Sequence, residues 1–420
     1  MIQKNIHYKI KRNNDIQKCL RAFNSYYSLL RTFIDRGVLK SSLDRGAFTH
    51  PSQILNKEFI DLLGTKRHRI SLGYGQEAGE QILREKIVEL ENLKYGTNYK
   101  AENVTLVAGA WSGVELVIEE ISKLYNGNYK KLKIAVIGPT HYQLFQRPIE
   151  VLGLEVLAFD FTKLEGSVPT QFYEIDEILK TKPDVVFVTN PNNPNGEYIP
   201  SDILKYLVRK TQNKNIYVVI DELQNFMPAK NKDIGYGKWI QQENIIRIDS
   251  FSKHYALAEY RHGWVIASNK ITGDRYSGIV GRIRGFMGNG PRACNDVILK
   301  LIQSEIDYKK GKAHPLEKKW NTLLRKHDYI VKRLSKNSRI TILPRDACFN
   351  VCIKVSGFKN DMVLSKKLME EGTLIMPCEG YGYESEDVIM RITFAERWSK
   401  VFHSMSSLEK VINNVKENEG

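Results

Sequence analysis

The sequence predicts an α/β protein: a large domain with a mostly parallel sheet sandwiched by helices, followed by a smaller α+β domain. Three observations predict it. From about residue 75 to 305, short apolar runs alternate with amphipathic stretches of helical period. The runs are unbroken rather than alternating, as strands buried on both faces require. After about residue 315 the pattern changes to one long helix, three spaced strands and a closing helix.

In chain order, residues 15–36 read as an amphipathic helix with Ile16, Leu20, Phe23, Tyr27, Leu30 and Ile34 on one side, expected to pack on the smaller domain. Residues 45–73 read as irregular. The runs at 104–107, 134–137, 185–188, 216–220 and 245–248 read as the strands of the sheet, being too short for helices. A helix at 315–334 leads to strands at 340–343, 350–355 and 388–394, and a helix over 398–415 closes the chain. The expected division is an N-terminal helix and arm over 1–70, belonging with the smaller domain, a large domain over 71–310 and a small domain over 311–420. With 420 residues, 42% of them hydrophobic, the chain can bury cores of that size.

The chemistry collects at the ends of these runs. Ser250-Phe251-Ser252-Lys253 follows the run Ile245-Ile246-Arg247-Ile248, with Arg261 eight positions further on. A lysine at the end of a buried strand is partly desolvated, so its neutral, nucleophilic form is favoured and it can form a Schiff base with an aldehyde. The hydroxyls of Ser250 and Ser252 and the guanidinium of Arg261 suit a phosphate. Aldehyde and phosphate together describe pyridoxal phosphate. Asp221 ends the run at 216–220, where a carboxylate can keep a pyridine nitrogen protonated. The run at 185–188 leads into Asn190-Pro191-Asn192-Asn193-Pro194-Asn195-Gly196, a turn stiff enough to aim an asparagine side chain.

These segments resemble the fold type I pyridoxal phosphate enzymes, and within them the class I/II aminotransferases, from about Tyr74 to Ala395. Asn193-Pro194-Asn195-Gly196 is similar to the family's Asn-Pro-Thr-Gly turn, with Asn195 in the threonine's place. Asp221 matches the aspartate at the pyridine nitrogen, and Ser250-x-Ser-Lys253 with Arg261 matches the Schiff-base segment. Met390-Arg391-Ile392-Thr393-Phe394-Ala395 matches the segment whose arginine grips the substrate carboxylate. The resemblance implies cofactor contacts from Gly109, Ala110 and Trp111 at a strand–helix turn, where bare amides and a helix dipole suit a phosphate. It implies that Tyr74 reaches the phosphate of a neighbouring subunit, and hence a homodimer with shared active sites. It implies an aromatic residue against the ring soon after Pro139. His141 and Tyr142 both qualify, and Tyr142 is favoured for its stacking area.

The chain departs from the family at Gln224, where a tyrosine is usual, at Glu259, where glycine is usual, and at Cys378 after Pro377. Gln224 can donate a hydrogen bond to the ring oxygen but cannot ionise. Glu259 either recognises a cationic group on the substrate or pairs with a nearby basic residue. The resemblance implies transfer of an amino group between an amino acid and a 2-oxo acid. The departures keep open a diverged reaction on the same scaffold: lyase, decarboxylase, cyclase or oxidase. His254 and His262 read as supporting groups, and Arg282, Arg284 and Arg292 as surface.

Composition narrows the rest. The net charge of +15 is spread along the chain and mixed with acids, so nucleic acid is not the expected partner. The five scattered cysteines show no zinc spacing, which predicts no metal and reduced thiols in the cytoplasm. No signal-peptide pattern and no stretch of eighteen apolar residues is present, so no membrane span is expected.

Overall fold

The computed structural model describes residues 8–44, 53–64, 75–124, 131–227, 229, 232–286, 291–292 and 294–414. The chain starts with strand β1 (Lys9–Lys11) and helix α1 (Asn13–Asp35), then a two-residue strand β2 (Ser41–Ser42) and helix α2 (Lys57–Gly64). Next come α3 (Gln81–Tyr95), β3 (Val104–Val107), α4 (Ala110–Leu124), β4 (Lys133–Gly138), α5 (Gln146–Leu152), β5 (Glu155–Asp160), α6 (Phe172–Lys180), β6 (Val185–Thr189) and α7 (Ser201–Thr211). They are followed by β7 (Tyr217–Asp221), β8 (Ile245–Ser250), α8 (Phe251–His254), β9 (Gly263–Ile266), α9 (Asn269–Thr272), α10 (Gly278–Phe286) and α11 (Asn295–Lys309). The last part holds α12 (Glu317–Leu334), β10 (Ile340–Ile342), β11 (Asn350–Val355), α13 (Asp361–Glu370), β12 (Thr373–Leu374), β13 (Met376–Pro377), β14 (Ile389–Thr393) and α14 (Trp398–Asn414).

The main sheet has eight strands in the order β1-β5-β4-β6-β7-β8-β9-β3. The pairings from β5 through β8 are parallel, while β1, β9 and β3 join antiparallel. Apart from the edge strand β1, its strands are largely buried on both faces, and the pleat sorts their side chains between two cores. Ile134, Val136, Val185, Phe187, Val219, Ile246 and Ile248 face the helix layer containing α1, α4 and α10. Ala135, Ile137, Val186, Val188, Val218, Ile220 and Ile245 face α6 and α7. Burial of each large apolar side chain is worth roughly 1.5–3 kcal/mol, which explains why such runs tolerate no polar alternation. A second, antiparallel sheet has the order β10-β11-β14-β13.

The N-terminal segment ties the two sheets together. β1 pairs with the edge strand β5, and β2 pairs with β12. α1 buries Phe23, Tyr26 and Phe33 against Cys352, Met376 and Tyr381 beside the second sheet, as the expected packing on the C-terminal part requires. The buried stripe of α1 differs from the expected one: Tyr27 and Ile34 are exposed, and Cys19, Tyr26 and Phe33 are inside. Tyr26 is drawn inward by a hydrogen bond from its hydroxyl to Asp44 (3.2 Å). The region expected to be irregular contains α2. Its eight residues are too few to hold a helix in isolation, so packing of Phe59 into the core beside α11 sustains it.

Behind the main sheet Arg247 on β8 donates Nε and Nη2 to the two oxygens of Glu222 (2.7 and 2.6 Å) and Nη1 to Glu91 on α3 (2.7 Å). The rings of Tyr95 and Tyr236 cover the guanidinium. All three charges are almost fully buried. Removing the cation strands two carboxylates, so Arg247→Ala is expected to cost about 3–5 kcal/mol. A urea unfolding curve measures it, and a loss under about 1 kcal/mol contradicts this account.

Candidate active site

β3, β4, β6, β7 and β8 run in one direction, so their C-terminal ends open on one edge of the sheet, where ligands bind in open α/β folds. Five loops leave that edge. The segment after β14 brings a sixth contribution from the second sheet.

Lys253 sits on the single turn of α8, whose second amide is capped: Ser252 N donates to the Ser250 hydroxyl at 3.1 Å. Its amine is pushed down to about 8, first by burial and then by the charges of Arg391 and Arg261, with Asp221 opposing. Asp221 ends β7. Burial pushes its carboxyl up to about 6, Leu223 N donates to it at 3.1 Å, and Glu222 and Lys253 act in opposite senses. Lys253, Asp221, Arg261 and Arg391 are therefore electrostatic neighbours, although they lie far apart in sequence.

The turn after β3 forms a cradle. Gly109 has φ +82°, and a Cβ there would fall 2.3 Å from Nη2 of Arg261. Gly263 lets the helix start approach, because its Cβ would lie 2.9 Å from the Ala110 amide nitrogen. The first amides of α4, at Ala110 and Trp111, face no partner within their own helix. Arg261 donates to the carbonyls of Ala258 (3.0 Å) and Ala108 (3.3 Å), which leaves its charge without a carboxylate among the described residues. Trp111 is 40% exposed.

After β4 the structure corrects the expectation. Tyr142 is fully buried and turned away, its hydroxyl bonded to Asp160 on β5, which also pairs with Lys11 (3.1 Å). His141 occupies the site instead. Its ring is pushed down to about 3 by burial and by Arg391 and Lys253, so it is neutral. It contacts the rings of Phe23 (5.2 Å), Tyr381 (5.6 Å) and Trp111 (5.8 Å).

After β6, Asn192 donates to the Pro139 carbonyl (2.7 Å), joining two of the loops. Gly196, at φ +82°, lies so close to the loop before β11 that a Cβ would meet the Ala347 carbonyl at 2.3 Å. Asn193 Oδ1 accepts from Arg391 Nη1 at 3.4 Å. Gln224 is buried, and its Oε1 has no partner among the described residues.

Arg391 on β14 is only 3% exposed. Nη1 also donates to the Tyr381 hydroxyl, Nη2 donates to the Asp44 carbonyl (2.8 Å), and Nε has no acceptor among the described residues. No carboxylate of the described residues pairs with it. Tyr381, Phe23 and the Asp44 carbonyl were not singled out from the sequence. The one signal was Gly380-Tyr381-Gly382, where a Cβ at Gly380 would strike the Phe23 ring at 2.7 Å. Tyr74 lies outside the described residues. Glu259 is exposed and has no ion pair among the described residues. Arg282 pairs with Glu120 and Arg292 with Glu80, and His254 bonds to Glu305.

The architecture is that of fold type I. A double mutant of the Thermus thermophilus aspartate aminotransferase superposes with a TM-score of 0.77 at 16% identity, covering 93% of this chain and 96% of that one, a likeness of fold. Residues 43–401 match the family aminotransferase class I and II, and the chain belongs to it. It is a pyridoxal-phosphate-dependent aminotransferase. An aspartate aminotransferase from Pyrococcus horikoshii is 24% identical over 349 residues, 82% of this chain and 84% of its own. A histidinol-phosphate aminotransferase from Pelagibacter ubique is 31% identical over 175 residues, 41% of this chain and 46% of its own.

The lowered pKa means that Lys253 becomes neutral at a lower pH than an ordinary exposed lysine. In the apoprotein its acylation by an amine-specific reagent, followed by peptide mass spectrometry, is expected to rise with a midpoint near 8. Asp221→Asn removes the group that favours the ammonium and is expected to move the midpoint lower. A midpoint near about 10.4, as for an exposed lysine, would remove the desolvation account.

Proposed function

We propose that this aminotransferase works through Lys253, with an amino acid as donor and a 2-oxo acid as acceptor. The observation that carries the reading is a half-buried lysine amine held near 8 between the carboxylate of Asp221 and the guanidinium of Arg391. The donor set fits pyridoxal phosphate. Lys253 Nζ would hold its aldehyde, and Asp221 its ring nitrogen. The amides of Ala110 and Trp111, the hydroxyls of Ser250 and Ser252, and Arg261 would hold its phosphate at the turn opened by Gly109, whose own amide donates to the Val107 carbonyl (2.8 Å). His141 would lie against the ring, and Gln224 and Asn193 would donate to the ring oxygen. The cofactor, when bound, supplies an electron sink that acidifies the hydrogen on the substrate α-carbon.

The chain's own groups do the remaining work. Arg391 orients the substrate by its α-carboxylate. Lys253 Nζ, when its amine is free, would take the α-proton of the substrate and later return a proton, as general base and acid. Its lowered pKa supports both roles near neutral pH. Asp221, ionised above about 6, holds the proton at the ring nitrogen. Neutral His141 adds stacking area without adding a further positive charge.

The same reading includes a cytoplasmic homodimer with shared active sites, Tyr74 serving the neighbouring subunit, and domains over 1–70 with 311–420 and over 71–310. The two sheets, with β2 paired to β12, support that division. No helix among the described residues is long and apolar enough to cross a membrane. A dispersed positive charge supports small anionic ligands rather than nucleic acid.

The test follows the visible absorbance of the holoenzyme while the twenty L-amino acids are added singly without an oxo acid. The donor is expected to bleach the band once, and a 2-oxo acid to restore it. A band that recovers without an acceptor while product accumulates sinks this reading in favour of a diverged reaction. Lys253→Ala is expected to lower turnover by at least about 10²–10⁴-fold, and full retention of turnover and absorbance by that variant removes Lys253 from the mechanism.

A further inference from the structure

We propose that the Tyr381 hydroxyl is a second donor to the substrate carboxylate, sharing it with Arg391. This rests on the reading of Arg391 as the carboxylate clamp. Arg391 Nη1 donates to the Tyr381 oxygen, and the guanidinium carbon lies 5.0 Å from the centre of the Tyr381 ring. A phenol that accepts through its oxygen keeps its own hydrogen to donate. Among the described residues that hydrogen has no acceptor, and Arg391 Nε has none either. Two buried donors without acceptors, joined by one hydrogen bond, call for an anion with two oxygens. A carboxylate has that form.

The phenol is suited to the role. Burial raises its pKa and outweighs the opposing charge of Arg391, so it remains protonated throughout the working pH range. Its direction is set by neighbours on three sides. Phe23 on α1 meets the ring edge-on at 5.0 Å, His141 lies at 5.6 Å, and the short turn Glu379–Tyr381 bonds back to Cys378. Gly380 admits Phe23 at a distance no Cβ would allow. α1 thus holds the phenol, and the phenol holds the guanidinium. A structural tyrosine in an apolar cluster would need only its ring. The hydroxyl on a cation that lacks a carboxylate partner among the described residues is the feature that such a role leaves unexplained.

The experiment uses the holoenzyme with the fastest L-amino acid of the screen above and the amine formed by its decarboxylation. Tyr381→Phe is expected to raise KM for the amino acid about tenfold, the loss of one hydrogen bond to a charged group, with kcat within about threefold. Preference for the amino acid over the amine is expected to fall by the same factor. Tyr381→Gln, whose amide both accepts and donates, is expected to recover part of that loss. Unchanged KM in Tyr381→Phe, beside a large rise in Arg391→Gln, overturns the proposal alone. Unchanged KM in both overturns the carboxylate reading of Arg391 itself. Equal losses in Phe and Gln variants, with lowered thermal midpoint and cofactor absorbance, assign Tyr381 a structural role and also overturn the proposal.

Discussion

The site is organised around unbalanced charge. Lys253, Arg261 and Arg391 are brought together at one edge of the main sheet with the single carboxylate of Asp221 facing them. Like charges repel, and a buried cation without a counter-ion, such as Arg391, is costly, whereas Arg261 is exposed to solvent. The lysine responds by giving up its proton more easily. The two guanidiniums cannot do so. Arg261 and Arg391 are held by carbonyls, an amide and a phenol, groups that orient a cation without cancelling it. The proposed ligands would complete this electrostatic arrangement, with a phosphate at one end and a carboxylate at the other.

The contrast with the charges on the far side of Lys253 is instructive. Arg247 is satisfied by Glu222 and Glu91, and Glu305 accepts from Tyr255 at 3.0 Å, with Nε2 of His254 and His314 at 3.3 and 3.2 Å. Burial pushes the Glu305 carboxyl up, but the hydrogen bonds of the two histidines outweigh it and hold the carboxyl low. These charged groups find partners within the chain. They tie α3 to β8 and α11 to α8 beside the turn that carries Lys253. The cations of the site differ in having no carboxylate partner among the described residues beyond the nearby Asp221.

How much of this was legible in the sequence follows from how local each determinant is. The strands were legible because a run such as Val185-Val186-Phe187-Val188 states its burial on both faces by itself. Lys253, Asp221 and Asn193 could be singled out because Asp221 follows such a run directly and the other two lie five residues beyond one. The choice between His141 and Tyr142 was not, because a one-residue difference in a turn is decided by Asp160, eighteen positions on, together with Lys11 from the other end of the molecule. A buried carboxylate captures the phenol, and the imidazole is left to face the site. α2 was missed because its pattern is weak and its stability comes from packing against α11. Tyr381 was missed because its partner Arg391 lies across the β13–β14 pairing, a register that no short window contains.

The N-terminal segment has a larger part in the site than its distance in sequence from Lys253 suggests. Lys11 bridges Asp160 on the main sheet and the Gly382 carbonyl beside the second sheet (2.6 Å). Phe23 touches both His141 and Tyr381. The Asp44 carbonyl takes Nη2 of Arg391, and Leu43 accepts the amide of Thr393 at 2.9 Å on the same strand as Arg391. The contacts of Lys11 and Phe23 span the gap between the two sheets, and those of Leu43 and Asp44 fasten the segment to β14. The sheet edge carries the cradle and Lys253. Residues 8–44 help to fix how far the strand carrying Arg391 stands from the loops carrying His141 and Asn193. The position of Arg391 is therefore a property of the packing of the N-terminal segment as much as of its own strand.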